Sequence, residues 1–67
     1  SMIEAWYAAE LLTMIDTKGW DFEQASSWCQ LQLKHWRPER STSQFSNAVN
    51  QEKWQALTNL IEVFDRC

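Results

Sequence analysis

Apolar residues recur at three- and four-residue spacing through the first quarter of the chain, the pattern of one face of an α-helix. At about 100° per residue, five of them fall in a single arc, namely Ile3, Tyr7, Leu11, Met14 and Ile15. Gly19, the only glycine, adopts a left-handed conformation without strain and is therefore a natural helix terminator. The pattern predicts a first helix over residues 3–16.

A second helix is predicted over residues 21–36, with the best-marked start in the chain. Asp21 can cap its first turn, and Gln24, three residues later, can complete a capping box. An apolar stripe follows at helical spacing, made of Phe22, Ala25, Cys29, Leu33 and Trp36. Pro38 cannot continue a helix, so the second helix should end near Trp36.

The last third of the chain contains a strong helical stripe, formed by Trp54, Leu57, Leu60, Ile61 and Phe64. Asn50 offers an N-cap for this helix, which is predicted over residues 51–66. Ahead of it, Ser41 with Gln44 could cap a short helix over residues 42–49.

These two segments could also form one continuous helix. Phe45 and Val49 project roughly 70–110° away from the later stripe at ideal helical pitch. A straight helix could not bury both sets equally, so a break or kink near Asn50 is favoured. With no alternating strand pattern, the fold prediction is a small all-α bundle of three or four helices, in a single domain over residues 1–67. Ser1, with Met2 as a further candidate, is interpreted as a cloning remnant.

Five tryptophans in 67 residues are unusual. They matter because a short chain buries a smaller share of its surface than a larger domain does, and bulky side chains help it to form a core. Each ring can bury on the order of 150–250 Å². Trp20, Trp36 and Trp54 lie where the helical stripes place a core. Trp6 and Trp28 fit that core less well, which makes them candidates for another role.

Charge and cysteine content narrow the class of protein. The net charge of −3 argues mildly against a general nucleic-acid or anionic-membrane binder. Two cysteines are too few for a disulfide framework, and together with one histidine they give no zinc ligand set. No apolar run approaches a membrane span. We expect a cytoplasmic protein with no cofactor and no metal. Cys29 and His35 lie on helix faces roughly 120° apart, so no catalytic pair is expected and the chain is predicted not to be an enzyme.

The second helix carries another apolar stripe, formed by Trp28, Leu31 and His35. Either the helix is central and buries both stripes, or the second stripe is an exposed contact surface for another chain, since tryptophan is enriched at interface hot spots. Trp6, at the edge of the first helix's apolar arc, supports the second interpretation, although it could also cover a helix end. Trp6, Trp28, Leu31 and His35 are therefore the predicted partner-binding residues.

A basic segment over residues 34–40 supports an alternative function. Its cations resemble a phosphate-contacting turn, so a small regulatory DNA-binding domain of helix-turn-helix type would use Lys34, Arg37, Arg40 and Lys53. The same cations also fit a structural role, since positive charge near a helix C-terminus compensates the helix dipole. The favoured function is a protein-interaction module that binds a partner chain or associates with itself as a homodimer.

Overall fold

The computed structural model describes residues 1–37 and 43–67, and within them the chain forms three α-helices and no strand. The first helix, α1, spans Met2–Lys18, α2 spans Phe22–His35 and α3 spans Gln44–Asp65. The prediction of a small all-α bundle is confirmed, in its three-helix form. The bundle is elongated, 38 × 19 × 18 Å, because α3 alone extends for about 33 Å at 1.5 Å per residue.

The turn between α1 and α2 follows the local signals in the sequence. Gly19 adopts a left-handed conformation with φ 68°, and its amide donates to the carbonyl of Met14. The Asp21 carboxylate accepts from the amide of Gln24 at 2.8 Å, while the Gln24 side-chain carbonyl accepts from the amide of Asp21 at 3.0 Å. The predicted capping box is present, and it fixes where α2 begins.

The predicted division into helices over 42–49 and 51–66 is wrong, because α3 is continuous from Gln44 to Asp65. Asn50 lies inside this helix and is not an N-cap. Ser43 caps it, accepting from the amide of Ser46 at 3.2 Å, whereas Ser41 lies outside the described residues. The expected break assumed that Phe45 needs burial. Phe45 is 78% exposed, so a straight helix simply leaves it in solvent.

The core lies where α3 packs against both other helices, which contact each other least. Its buried residues are mostly aliphatic or small and comprise Tyr7, Leu11, Ala25, Cys29, Ala56, Leu57 and Leu60. The prediction of a tryptophan core is not met. Trp20 and Trp36 are half-buried and Trp54 is 41% exposed. Trp54 lies roughly 60° around α3 from Leu57 and roughly 120° from Leu60, which places it at the edge of the buried arc.

Two polar contacts tie α3 to its neighbours. The Ser26 hydroxyl of α2 donates to the Asp65 carboxylate at 2.9 Å. The Asn59 amide of α3 donates to the Glu4 carboxylate of α1 at 2.8 Å. Hydrogen bonds to a charged acceptor are stronger than neutral ones, and their geometry is directional. These contacts therefore help to set the position of α3 along both neighbouring helices.

Candidate binding groove

An apolar groove opens where the N-terminal part of α1, the C-terminal part of α2 and the middle of α3 meet. Its volume is about 380 Å³, within the size range typical of ligand and side-chain pockets. We call it the aromatic groove, and its lining consists of Ile3, Trp6, Tyr7, Trp28, Gln32, Trp36 and Lys53. All three helices contribute to this lining, so the folding of the bundle creates the groove.

The wall between α1 and α2 is a chain of edge-to-face aromatic contacts. The rings of Trp6 and Tyr7 lie 5.3 Å apart at 74°, and those of Tyr7 and Trp28 lie 5.8 Å apart at 64°. Such contacts are the preferred geometry for aromatic rings. Tyr7 belongs to the buried core, and burial raises the pKa of its phenol, with a smaller contribution from Cys29. The wall is thus anchored in the core, while Trp6 at its outer end is 59% exposed.

Another part of the lining is formed by Trp36, which follows the last residue of α2, and by Lys53 of α3. The Lys53 ammonium lies 3.5 Å from the centre of a Trp36 ring, a close cation–π contact. His35 packs edge-on against the same indole at 4.8 Å. A positive charge therefore lies in a lining whose other residues are aromatic or aliphatic, except for the uncharged amide of Gln32.

The structure brings two of the four predicted partner-binding residues together. Trp6 and Trp28 both line the aromatic groove, whereas Leu31 and His35 do not. Leu31 is 61% exposed and lies, with His35, in a shallow depression that adjoins the groove at Gln32. Trp28 is half-buried and packs against the core. The second stripe of α2 is thus neither wholly buried nor wholly exposed.

Five lining residues were not predicted to bind a partner. Ile3, Tyr7 and Trp36 had been assigned to apolar core stripes, Lys53 to the DNA-binding alternative, and Gln32 to no contact role. Each assignment followed from helical spacing, which shows which residues share a face of one helix. Spacing within one helix does not show which faces of three helices meet, so the sequence carried no direct signal for this set.

The residues predicted for the nucleic-acid alternative do not form one site in the described part of the chain. Lys34 and Arg37 are exposed near the C-terminal end of α2, where they complement its dipole. Lys53 lies on Trp36. Arg40 lies outside the described residues, so its place relative to the other three is not part of the structure.

The cysteines are both free thiols, with Cys29 buried and Cys67 exposed. Burial raises the pKa of the Cys29 thiol to about 11, which keeps it protonated and makes it a poor nucleophile at neutral pH. Within residues 1–37 and 43–67, no three potential ligands among His, Cys, Asp and Glu come together as a metal site. In the same described part of the chain, no helix is both long and apolar enough to cross a membrane.

No protein-family model, curated protein sequence or solved structure matches this chain. No relative therefore indicates a substrate or a partner. Any proposal of function therefore rests on the geometry of the described residues, such as that of the aromatic groove.

Proposed function

We propose that this chain is a small protein-interaction module that receives an apolar side chain of a partner in the aromatic groove. The observation that carries this proposal is the exposure of Trp6, 59%, at the mouth of a concave apolar cavity lined by two further tryptophans. Removing apolar surface from water is favourable, so a partner that covers these rings would gain the free energy of their burial. Tryptophan is also the residue type most enriched at interface hot spots.

Preorganisation also supports binding at this place. The Trp28 ring is held by Tyr7 and the Trp36 ring is held between His35 and Lys53. Ordering free side chains costs roughly 0.5–1.5 kcal/mol each on association. Because these rings are already in contact with neighbours, a partner would meet a largely formed surface. Leu31 and His35, beside the groove, would then lie at the margin of the contact.

The experiment is a selection of short displayed random peptides on the intact chain, followed by calorimetric titration of the enriched sequences. Replacing Trp6 by Ala should weaken binding by at least about tenfold, the effect of losing a hot-spot contact. The free energy of unfolding of this Trp6→Ala variant should stay within about 1 kcal/mol of the parent value, because the Trp6 side chain is largely exposed.

Trp54→Ala is the matched control, since Trp54 is also an exposed tryptophan but does not line the aromatic groove. It should leave affinity within about twofold of the parent, as expected of a residue outside the contact. Equal losses in the two variants, or the absence of any enriched peptide, would contradict a docking role for the groove.

A further inference from the structure

Three cations lie at the C-terminal end of α2 and on the part of α3 near the aromatic groove. Lys53 lines it, Lys34 lies in the adjoining depression, and Arg37 is exposed directly after Trp36. Within residues 1–37 and 43–67 the one ion pair joins Glu62 to Arg66, near the far end of α3. None of these three cations is therefore in an ion pair with a carboxylate of the described residues.

Two carboxylates of the described residues adjoin groove residues in the sequence, and neither forms an ion pair with the three cations, although both keep their charge. Glu4 accepts a hydrogen bond from Asn59, so its side chain is directed to α3. Glu52 precedes Lys53 but makes no ion pair with it among the described residues. Along the whole sequence, four of the six Lys and Arg residues lie between positions 34 and 53, together with only two of the nine Asp and Glu residues. The sequence of this acidic protein is therefore locally positive between positions 34 and 53, the stretch that contributes Trp36 and Lys53 to the groove.

We propose that the occupant of the aromatic groove is an acidic amphipathic segment of another protein, whose apolar side chain enters the groove while flanking carboxylates meet Lys53, Lys34 and Arg37. This rests on the proposed function and adds the charge of the partner to it. Complementary charge around an apolar contact speeds encounter and excludes partners of the wrong sign. A basic partner would meet repulsion from these cations.

The position of Lys53 makes the charge preference specific to the groove. Its ammonium rests on Trp36, and cation–π attraction leaves its remaining hydrogen-bond donors directed away from the ring. A carboxylate arriving with the apolar side chain could accept from those donors while the ring contact remains. The ligand thus combines an apolar group with a neighbouring anion.

A nucleic acid would satisfy the cations but not the apolar lining. Phosphate binding depends on a basic excess, while the chain as a whole has a net charge of −3. In a symmetric dimer, a second copy of the chain would bring its own Lys34, Arg37 and Lys53 to the same contact, so cations would meet cations. The combination of aromatic walls and a few local cations fits an acidic peptide better than either.

The test uses three displayed peptide libraries with the same randomised apolar positions, whose remaining positions are all Glu, all Gln or all Lys. The intact chain should enrich the Glu library, and the best Glu peptides should bind at least about tenfold more tightly than their Gln counterparts, with the Lys counterparts weakest. Added salt should reduce the difference, because these charges are near the surface.

Lys53→Gln should remove most of the preference for Glu over Gln peptides, measured as the ratio of their two affinities for the same variant. Because this variant also loses the cation–π contact with Trp36, binding of the Gln peptides should weaken as well, and the ratio is the quantity that tests the charge preference. Lys18→Gln is the matched control. Lys18 is exposed in the last turn of α1 and does not line the groove, so this variant should retain the full preference.

The remaining outcomes separate the two proposals. Equal binding of Glu, Gln and Lys peptides, all weakened by Trp6→Ala, would overturn the charge preference and leave the docking function standing. No enrichment from any library would overturn both. Self-association abolished by Trp6→Ala would overturn the acidic partner in favour of a second copy. Binding of a labelled DNA duplex that is weakened by Trp6→Ala and Lys53→Gln, without enrichment of the Glu library, would overturn it in favour of nucleic acid.

Discussion

The core and the aromatic groove share one residue, Tyr7, but they are built from different side chains. The largest fully buried side chains of the core are Leu11, Leu57 and Cys29, and none of the five tryptophans belongs to it. The groove contains three of those tryptophans and is open to solvent. In this chain the buried positions are held mostly by aliphatic or small residues. The bulkiest residues surround that core, where their surfaces remain available for contact.

The largest effect is expected in the core, from Leu57→Ala. Leu57 is fully buried in α3, so its truncation should lower the free energy of unfolding by roughly 2–5 kcal/mol. A domain this small has little stability to spare. Urea unfolding followed by circular dichroism measures the loss. A parent-like transition would show that the aliphatic core does not carry the stability, and the contrast with the groove would then fail.

Alkaline pH should act on the core through Cys29. Its thiol has a pKa of about 11 in the fold against 9.0 as its ordinary value, so the folded protein holds this proton more tightly than the unfolded chain. The stabilisation is fully present below pH 9 and is lost as pH rises towards 11, by on the order of 2–3 kcal/mol. Tyr7, whose pKa is also raised, acts in the same direction.

Unfolding midpoints of the parent and of Cys29→Ala, recorded across this pH range, check the prediction. The variant starts less stable because of its cavity, but it should show the shallower decline with pH. Parallel declines in the two proteins would mean that Cys29 does not contribute to the alkaline loss.

Trp28→Ala sharpens the comparison because Trp28 belongs to the groove and also packs against the core. Its half-buried ring should contribute about 1–3 kcal/mol to folding, less than a fully buried aromatic residue. Groove binding should fall as well, since the edge contact with Tyr7 is part of the wall. Denaturant unfolding and peptide titration of the same variant measure both effects. Loss of stability with unchanged binding would assign Trp28 to the core alone.

The smallest change in stability is expected at Asp21, which belongs neither to the core nor to the groove. Asp21→Ala removes the N-cap of α2 and should cost about 1 kcal/mol, with little change in peptide binding because Asp21 does not line the groove. Thermal melts measure the first expectation and calorimetry the second. A clear loss of affinity would indicate that the groove depends on how α2 begins, and that folding and binding are less separable than the structure suggests.

Local features of this fold could be predicted from the sequence, because each depends on residues three or four positions apart. The capping box of Asp21 and Gln24 and the terminating Gly19 are examples. The continuity of α3 could not be predicted in the same way. The prediction of a break depended on whether Phe45 is buried. The burial of Phe45 is decided by the position of the other two helices.

The candidate site was predictable only in part for a related reason. Helical phase separated Trp28 from the core stripe of α2, and Trp6 stood at the edge of the stripe of α1. That Lys53 lies on Trp36 depends on how α3 packs against the end of α2, a contact between residues distant in the chain. Periodicity describes each helix alone, so it could identify two tryptophans of the groove but not the rest of its lining.

The indoles of the aromatic groove also give this protein its own optical reporter. Trp6 is exposed to water, and an indole in water emits at longer wavelength than one in apolar surroundings. An occupant that covers it should move the emission to the blue. Trp36 carries an ammonium over its ring, and movement of that charge would alter its brightness. Intrinsic fluorescence can therefore follow entry of a ligand into the groove without any added label.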